Sequence, residues 1–111
     1  MAFKATLETS NDIAKITLSG ELDASSAPIF KTEIEKAAAK HPKRLVLMMQ
    51  DLQYMASAGL RVLIFAKQKM GTDADIYMVG LQEMVMETLT KTGFDQGVIV
   101  VNEYDSAYTA N

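Results

Sequence analysis

Two short segments of the chain combine polar and small residues in a way that suits binding or modification. They are GELDASS at 20–26 and DLQYMASAGL at 51–60. Each follows an apolar run and precedes a segment with helical periodicity, so each is expected to join a strand to a helix. The side chain with the clearest chemistry is Ser57, because a serine hydroxyl at a helix start can cap the helix or accept a phosphate group. Asp23 and Asp51 add negative charge to the same two segments.

Nucleophilic catalysis is not supported around Ser57. The sequence MASAG at 55–59 lacks the first glycine of the G-x-S-x-G nucleophile elbow. The only histidine, His41, is expected in a loop at the opposite edge from Ser57, so no general base is available. The chain also lacks cysteine, a typical set of metal ligands and a glycine-rich phosphate loop. These features predict a binding protein that is not an enzyme and uses no metal or cofactor.

Composition and charge predict the number of domains, the kinds of partner and the cellular location of the protein. The 111 residues are 49% hydrophobic and 23% charged, which predicts one globular domain over residues 1–111. The formal charge of −3 provides no excess of cations, so direct binding to nucleic acid or insertion into a membrane is not expected. The sequence contains neither the roughly 20 apolar residues of a spanning helix nor the apolar core of a signal peptide. Together with the absence of cysteine, this predicts a cytoplasmic protein.

The elements that position the two polar segments begin with a β-hairpin. Residues 3–8 and 13–19 alternate apolar and polar side chains around a polar turn, which predicts two antiparallel strands. A first helix follows Ser25 and Ser26, the candidate N-caps, and is expected to end near residues 41–42. Its apolar residues recur at helical spacing and are Ile29, Phe30, Ile34, Ala37 and Ala38.

The rest of the chain alternates apolar strands with amphipathic helices. The nearly continuous apolar run at 44–51 predicts a central strand covered on both faces, and a second helix is expected to start near Ser57. The predicted buried face of that helix consists of Leu60, Leu63, Ile64 and the aliphatic stem of Lys67. The later elements are strands at 75–80 and 97–102, a helix at 82–93 closed by Gly93, and a terminal helix or frayed end at 103–111. The order β-β-α-β-α-β-α-β predicts an α/β fold with one mostly parallel sheet, an antiparallel N-terminal strand pair and helices packed on it.

The two polar segments resemble those of the STAS domain family, especially the free-standing anti-sigma factor antagonists of bacteria. The resemblance covers nearly the whole chain and rests on GELD at 20–23, on the apolar strand ending in DL at 51–52 and above all on SAGL at 57–60. The family usually reads Asp-Ser-Ser-Gly-Leu or Ser-Ser-Ala-Gly-Leu there, with the phosphorylated serine two residues before the glycine. That serine corresponds to Ser57, and Ala56 departs from the Asp or Ser that many members carry.

This resemblance implies a phosphorylation-controlled exchange of partners. In such proteins the unphosphorylated antagonist binds an anti-sigma factor, usually a serine kinase of the histidine-kinase-like ATPase class, and displaces the sigma factor. The kinase then phosphorylates the serine and ends the complex, and a phosphoserine phosphatase restores it. A phosphate on Ser57 would be tolerated by the helix N-terminus but would weaken docking through charge near Asp23 and Asp51. The implied partner-binding residues are Asp23, Asp51, Ala56, Ser57, Ala58, Gly59 and Leu60.

Several alternatives stay open at this level. An STAS-like accessory subunit that binds an ATPase of a lipid or anion transport system would need no phosphorylation. Taken by its spacing alone, Ser57 is favoured as a helix N-cap. Gly59 permits either close packing of the helix on the sheet or approach by a partner. The methionines are expected mostly in the core, although Met55, Met84 and Met86 are candidates for an adaptable docking surface.

Overall fold

The chain begins with a tight β-hairpin, as the alternating pattern predicts. The computed structural model describes residues 2–72 and 74–103. Strand β1 (Lys4–Ser10) pairs antiparallel with β2 (Ile13–Leu22). The two turn residues, Asn11 and Asp12, have φ angles of 50° and 65°, the left-handed values that two-residue hairpin turns require. Asn and Asp adopt this conformation more readily than other non-glycine residues, so the local sequence selects the turn.

The remaining elements follow the predicted order and form one mixed sheet. They are α1 (Ala27–Ala38), β3 (Arg44–Met55), α2 (Ser57–Met70), β4 (Asp75–Val79), α3 (Glu83–Thr92), a short 3₁₀ helix (Phe94–Gly97) and β5 (Ile99–Val101). The strand order is β1-β2-β3-β4-β5, and every pair after the hairpin is parallel. The predicted α/β class and topology are therefore confirmed. The 3₁₀ helix was not predicted, and it shortens the last strand at its start.

The main hydrophobic core lies between one face of the sheet and the three helices. Residues from all three helices share this core with side chains of β2, β3 and β4, and the largest buried ones include Phe30, Leu47, Leu63 and Leu89. Parallel strands that follow one another in spatial order need crossovers of the same hand, which places the helices on one side. The second face carries a smaller cluster around Val46. The central strand is thus buried on both faces, as its continuous apolar run predicts.

The central strand is longer than its apolar run suggests. The sequence predicts an end at Asp51, but β3 continues to Met55, and its last residues pair with the end of β2. At two places β3 carries one extra residue relative to β2, after Thr17 and after Gly20. These irregularities let Leu52 and Met55 both point into the core although their spacing does not fit a regular strand. The predicted connection at 52–56 is therefore wrong, because residues 52–55 belong to β3 and only Ala56 lies between the strand and α2.

The helix faces differ from the prediction at two exposed apolar residues. Ile29 in α1 and Ile64 in α2 were assigned to the core, but both are exposed. The buried face of α2 consists of Gly59, Val62, Leu63 and Ala66. The ammonium group of Lys67 donates a hydrogen bond to the Gly97 carbonyl instead of covering the sheet.

The ends of the helices are partly as predicted. Helix α1 ends at Ala38, about three residues earlier than expected. Gly93 closes α3 in the left-handed conformation, which confirms its predicted role. Beyond Glu103, the prediction for the terminal segment lies outside the described residues. None of the helices found at 2–72 and 74–103 has the length and apolar character needed to cross a membrane.

Candidate functional site

The N-terminus of α2 presents Ser57 to solvent. The helix begins at Ser57 itself, and its N-cap is Ala56, which has extended backbone angles (φ −85°, ψ 171°). The predicted N-cap role of Ser57 is therefore wrong, because the strand β3 reaches Met55 and leaves Ala56 as the half-helical residue. Within the described part of the chain, no hydrogen bond of the Ser57 side chain is found. Its hydroxyl is thus exposed and not used to stabilise the helix.

The backbone at this helix start is fixed to the end of β2. The amide of Ala56 donates a hydrogen bond of 2.8 Å to the carbonyl oxygen of Leu22. Gly59 is buried, and a Cβ atom built on it would lie 2.6 Å from Cδ2 of Leu22 and 3.0 Å from Cγ of Met55. Only glycine fits at this distance without a shift of its neighbours. The close approach supports the packing interpretation of Gly59 and holds Ser57 at a defined position above the sheet edge.

Asp23 organises the neighbouring loop between β2 and α1. Its Oδ1 atom accepts hydrogen bonds from the Ser25 hydroxyl (2.8 Å) and from the backbone amides of Ser25 and Ser26 (both 3.0 Å). The hydroxyl of Ser26, which is only 7% exposed, accepts a hydrogen bond from the Asp23 amide at 2.9 Å. The hydrogen bond from the Ser25 side chain, followed by those from Ser26, lowers the pKa of Asp23 because they favour the ionised form. Asp23 therefore carries a negative charge next to the start of α2.

Asp51 lies farther from Ser57 than the sequence suggests. It is an exposed residue inside β3 that pairs with Ser19, and the strand runs four residues beyond it. Four extended residues span at most about 13 Å. Asp23, in contrast, follows Leu22 directly, and Leu22 is hydrogen-bonded to the residue before Ser57. The structure thus brings Asp23 to the helix start and leaves Asp51 set back along the sheet.

Three exposed apolar side chains lie at the same edge of the sheet as Ser57. Ile29 in the first turn of α1 is 50% exposed, Met84 in the first turn of α3 is 57% exposed, and Tyr54 at the end of β3 is 41% exposed. The first turns of these helices and the end of β3 all lie at the carboxyl ends of the parallel strands, the edge at which such folds place their functional groups. Within the described residues, three of the five exposed large apolar residues lie at this edge, which makes it the candidate docking surface. Together these three side chains are called the apolar ring below.

The sequence identified only part of this ring. Met84 was a candidate docking residue, and its exposure agrees with that interpretation, whereas Met55 is 3% exposed and belongs to the core. Ile29 was assigned to the core, because an isoleucine at helical spacing usually faces inward. Tyr54 was placed in a connection without a role. The exposure of Ile29 and Tyr54 depends on how α1 and β3 are placed, which periodicity does not report.

Helix α2 turns a stripe of four residues to solvent. Ser57, Arg61, Ile64 and Gln68 are all exposed and recur at the spacing of one helix face. The helix contains three cations and no acid, although the whole chain has a net charge of −3. Its first turn includes no acidic side chain either. The Ser57 end of α2 is therefore flanked by a cation on its own helix and by Asp23 across the sheet edge.

Other features of the structure lie away from this edge. A cleft of about 610 Å³ is found between the end of α2, the start of β4 and the 3₁₀ helix, at the opposite ends of the parallel strands. His41 is exposed beyond the end of α1 and belongs to no potential metal-binding group among the described residues. Across residues 2–72 and 74–103, no group of three or more potential metal-ligating side chains is assembled.

Comparison with known proteins gives a family match and similar relatives. The model of the STAS domain family matches residues 4–107. The chain is 29% identical over 108 residues to BtrV of Bordetella bronchiseptica, a protein assigned as an anti-sigma factor antagonist, and the match covers 96% of this chain and 93% of BtrV.

Solved structures share the same fold. The crystal structure of an anti-sigma factor antagonist from Mycobacterium paratuberculosis superposes with a TM-score of 0.87 at 24% identity, covering 98% of this chain and 93% of that one. The antagonist SpoIIAA matches in its unphosphorylated form with a TM-score of 0.76 at 16% identity, covering 92% and 90% of the two chains. The phosphorylated form of SpoIIAA from Bacillus matches with a TM-score of 0.73 at 14% identity, covering 99% and 100%.

Proposed function

Because the chain belongs to the STAS domain family, we propose that it is an anti-sigma factor antagonist whose binding is switched off by phosphorylation of Ser57. In its unphosphorylated form it binds an anti-sigma factor serine kinase of the histidine-kinase-like ATPase class and so releases a sigma factor. The kinase phosphorylates Ser57, and a phosphoserine phosphatase reverses the modification. The protein acts in the cytoplasm as a regulatory binding module, without catalysis or a cofactor of its own. The observation that carries this proposal is the exposed Ser57, which starts α2 among the exposed apolar side chains of one sheet edge.

The apolar ring supplies the docking energy in this proposal. Burial of exposed apolar side chains is the main favourable term in most protein association. Ile29, Tyr54 and Met84 are exposed at the same sheet edge as Ser57, so a partner that docks across this edge covers the hydroxyl. The implied docking residues Ala56, Ala58 and Leu60 are partly buried and contribute their exposed portions. Gly59 is buried and contributes by allowing the helix to sit close to the sheet.

Electrostatics explain how one phosphate reverses this binding. A phosphate adds about −1.5 to −2 charge at neutral pH, and the helix N-terminus tolerates it because the first N–H groups have no partner in the helix. Folding is therefore retained. The same charge lies beside the ionised Asp23 and inside the proposed contact surface, where it raises the cost of removing water on docking. Asp51 is set back from this point and contributes less repulsion than the sequence suggests.

Phosphate mapping tests the proposal directly. The full chain is incubated with the candidate kinase and ATP, and the modified residue is located by mass spectrometry. Phosphate is expected on Ser57, none is expected in Ser57→Ala, and Ser10→Ala, which removes an exposed serine at the far end of the hairpin, is expected to behave as wild type. Absence of phosphate together with stable co-purification of a transport ATPase would overturn the proposal in favour of an accessory subunit.

A further inference from the structure

The exposed stripe of α2 places a cation one turn after Ser57. Arg61 stands four residues beyond Ser57 on the same helix face, and both residues are exposed. Side chains at this spacing are neighbours on a helix surface, about 6 Å apart along the axis. An acidic group that precedes a basic group by four residues is the more favourable of the two orders. The pair therefore has the geometry of an intrahelical ion pair as soon as Ser57 carries a charge.

Among the described residues, the guanidinium of Arg61 has no hydrogen-bond or ion-pair partner. Within residues 2–72 and 74–103, ion pairs join Lys15 to Glu8 and Lys36 to Glu33, whereas Arg61 takes part in neither an ion pair nor a hydrogen bond. The other basic residues of α2 are engaged, since Lys67 donates to Gly97 and Lys69 lies 6.0 Å from the Phe65 ring centroid. Arg61 is thus the uncommitted cation on this helix.

We infer that Arg61 holds the phosphate on Ser57, so that modification converts an exposed guanidinium one turn from Ser57 into the partner of the phosphate. This inference rests on the proposed phosphorylation of Ser57 and adds the residue that fixes the phosphate in place. Arginine suits this role because its planar group donates two parallel hydrogen bonds to phosphate oxygens. Phosphorylation then changes the charges that a partner meets at this sheet edge in two ways. It adds the negative charge of the phosphate, and it engages the positive charge of Arg61 in an ion pair.

Among the described residues, the ends of β2 and β3 beside Ser57 and the loop after β2 carry no cation. Lys31 of α1, which packs against α2, lies 4.9 Å from the centroid of the Phe65 ring, about two turns beyond Ser57. The charged groups at the end of β2 and on the loop that follows it are Glu21 and Asp23, both acidic, and the end of β3 contributes the phenol of Tyr54. These acids raise the second pKa of a nearby phosphate, because they disfavour its dianion. The positive charge of Arg61 lowers this pKa, because it favours the dianion. The pKa of the phosphate therefore reports whether the guanidinium is in contact with it.

The test uses the full chain with phosphoserine encoded at position 57 during translation, so that no kinase is needed. The second pKa of the phosphate is measured by ³¹P NMR in wild type, Arg61→Gln, Arg61→Lys and Lys69→Gln. We expect the pKa in wild type to be about 0.3 lower than in Arg61→Gln, with Arg61→Lys restoring part of the difference. Lys69→Gln removes a charge from the same helix about 18 Å away, beyond the screening length, and is expected to match wild type.

A second readout follows the arginine itself. The chain contains two arginines, Arg61 and Arg44, and Arg44 lies at the opposite end of β3 against the Tyr77 ring. Phosphoserine at position 57 is expected to move the Nε–H resonance of Arg61 and to leave that of Arg44 unchanged. Equal phosphate pKa values in wild type and Arg61→Gln, or an equal change in Lys69→Gln, would overturn the inference. If the pairing is observed but no kinase modifies Ser57, the proposed function fails and the inference stands.

Discussion

The amide of Ala56 donates a 2.8 Å hydrogen bond to the carbonyl oxygen of Leu22, which joins the start of α2 to the end of β2. The bond places the two polar segments of the sequence, which are separated by about 30 residues, side by side at one sheet edge. Asp23 follows one partner of this bond and Ser57 follows the other. The site is therefore built by the parallel pairing of β2 and β3, and its geometry depends on close packing of the first turn of α2.

Gly59→Ala is expected to destabilise the protein. The added methyl group would lie within 3.0 Å of Leu22 and Met55 side-chain atoms, so either these side chains or the first turn of α2 must shift. Overpacking of this kind costs about 1–3 kcal/mol. Urea unfolding of Gly59→Ala, Leu22→Ala and the double variant measures the effect. The double variant is expected to lose less than the sum of the single losses, because truncating Leu22 removes the clash. Simple additivity would contradict this explanation.

Ser57→Asp and Ser57→Ala are expected to separate folding from binding. An acidic residue in the first turn of a helix is favourable by roughly 0.3–1 kcal/mol, so Ser57→Asp keeps the fold or stabilises it slightly. Its charge lies inside the proposed contact surface and lowers affinity for the kinase. Ser57→Ala keeps binding and cannot be phosphorylated. Thermal unfolding and isothermal titration with the kinase measure both properties, and equal affinity of the two variants would refute the switch.

The loop before α1 is expected to lose stability in acid through Asp23. Its pKa in the folded protein is lowered by hydrogen bonds from Ser25 and Ser26, so the unfolded chain binds the proton more tightly. The resulting stabilisation is fully present above the unfolded pKa of about 4 and is lost as pH falls through the lower folded value.

Asp23→Asn removes this titration and provides the matched control. Melting temperatures of wild type and Asp23→Asn are compared from pH 7 to pH 3. The difference between them is expected to be largest at neutral pH and to shrink below about pH 4, because wild type then carries a neutral carboxyl group. A difference that is constant over this range would show that ionisation of Asp23 contributes nothing to folding.

The sequence predicts the order of the elements well because each element has a strong local signal. The hairpin turn needs residues that tolerate positive φ, and Asn11 and Asp12 provide them. The end of α3 needs a left-handed residue, and Gly93 provides it. No local residue preference marks the end of β3, because the segment after Asp51 becomes a strand only through pairing with β2. Local patterns therefore report turns and caps, and tertiary pairing decides the strand ends.

The same distinction applies to the candidate site. Ser57 and Gly59 belong to one local motif and are placed correctly by it. The neighbours of Ser57 come from other elements, so the sequence overestimates the proximity of Asp51 and assigns no role to Tyr54. The exposure of Ile29 is equally a tertiary property, since Ile29 is half exposed on a helix whose other large apolar residues, Phe30 and Ile34, are buried.

Substitutions in the apolar ring are expected to weaken partner binding without unfolding the protein. Ile29→Ser and Met84→Ser remove exposed side chains, so their effect on the free energy of unfolding is expected to stay within about 0.5 kcal/mol. Each is expected to reduce affinity for the kinase by roughly tenfold, about 1.4 kcal/mol, which is the loss expected for a contributing interface residue below the hot-spot range. Isothermal titration and urea unfolding measure the two effects separately.

Ile99→Ser is the matched control for the ring. Ile99 is also a large exposed apolar residue, but it begins β5 at the opposite ends of the parallel strands. Its replacement is expected to leave affinity unchanged, because the proposed partner covers only the Ser57 edge. If Ile99→Ser weakens binding as much as Ile29→Ser does, the partner does not dock on the apolar ring, and the phosphate on Ser57 has to act on binding from outside the contact surface.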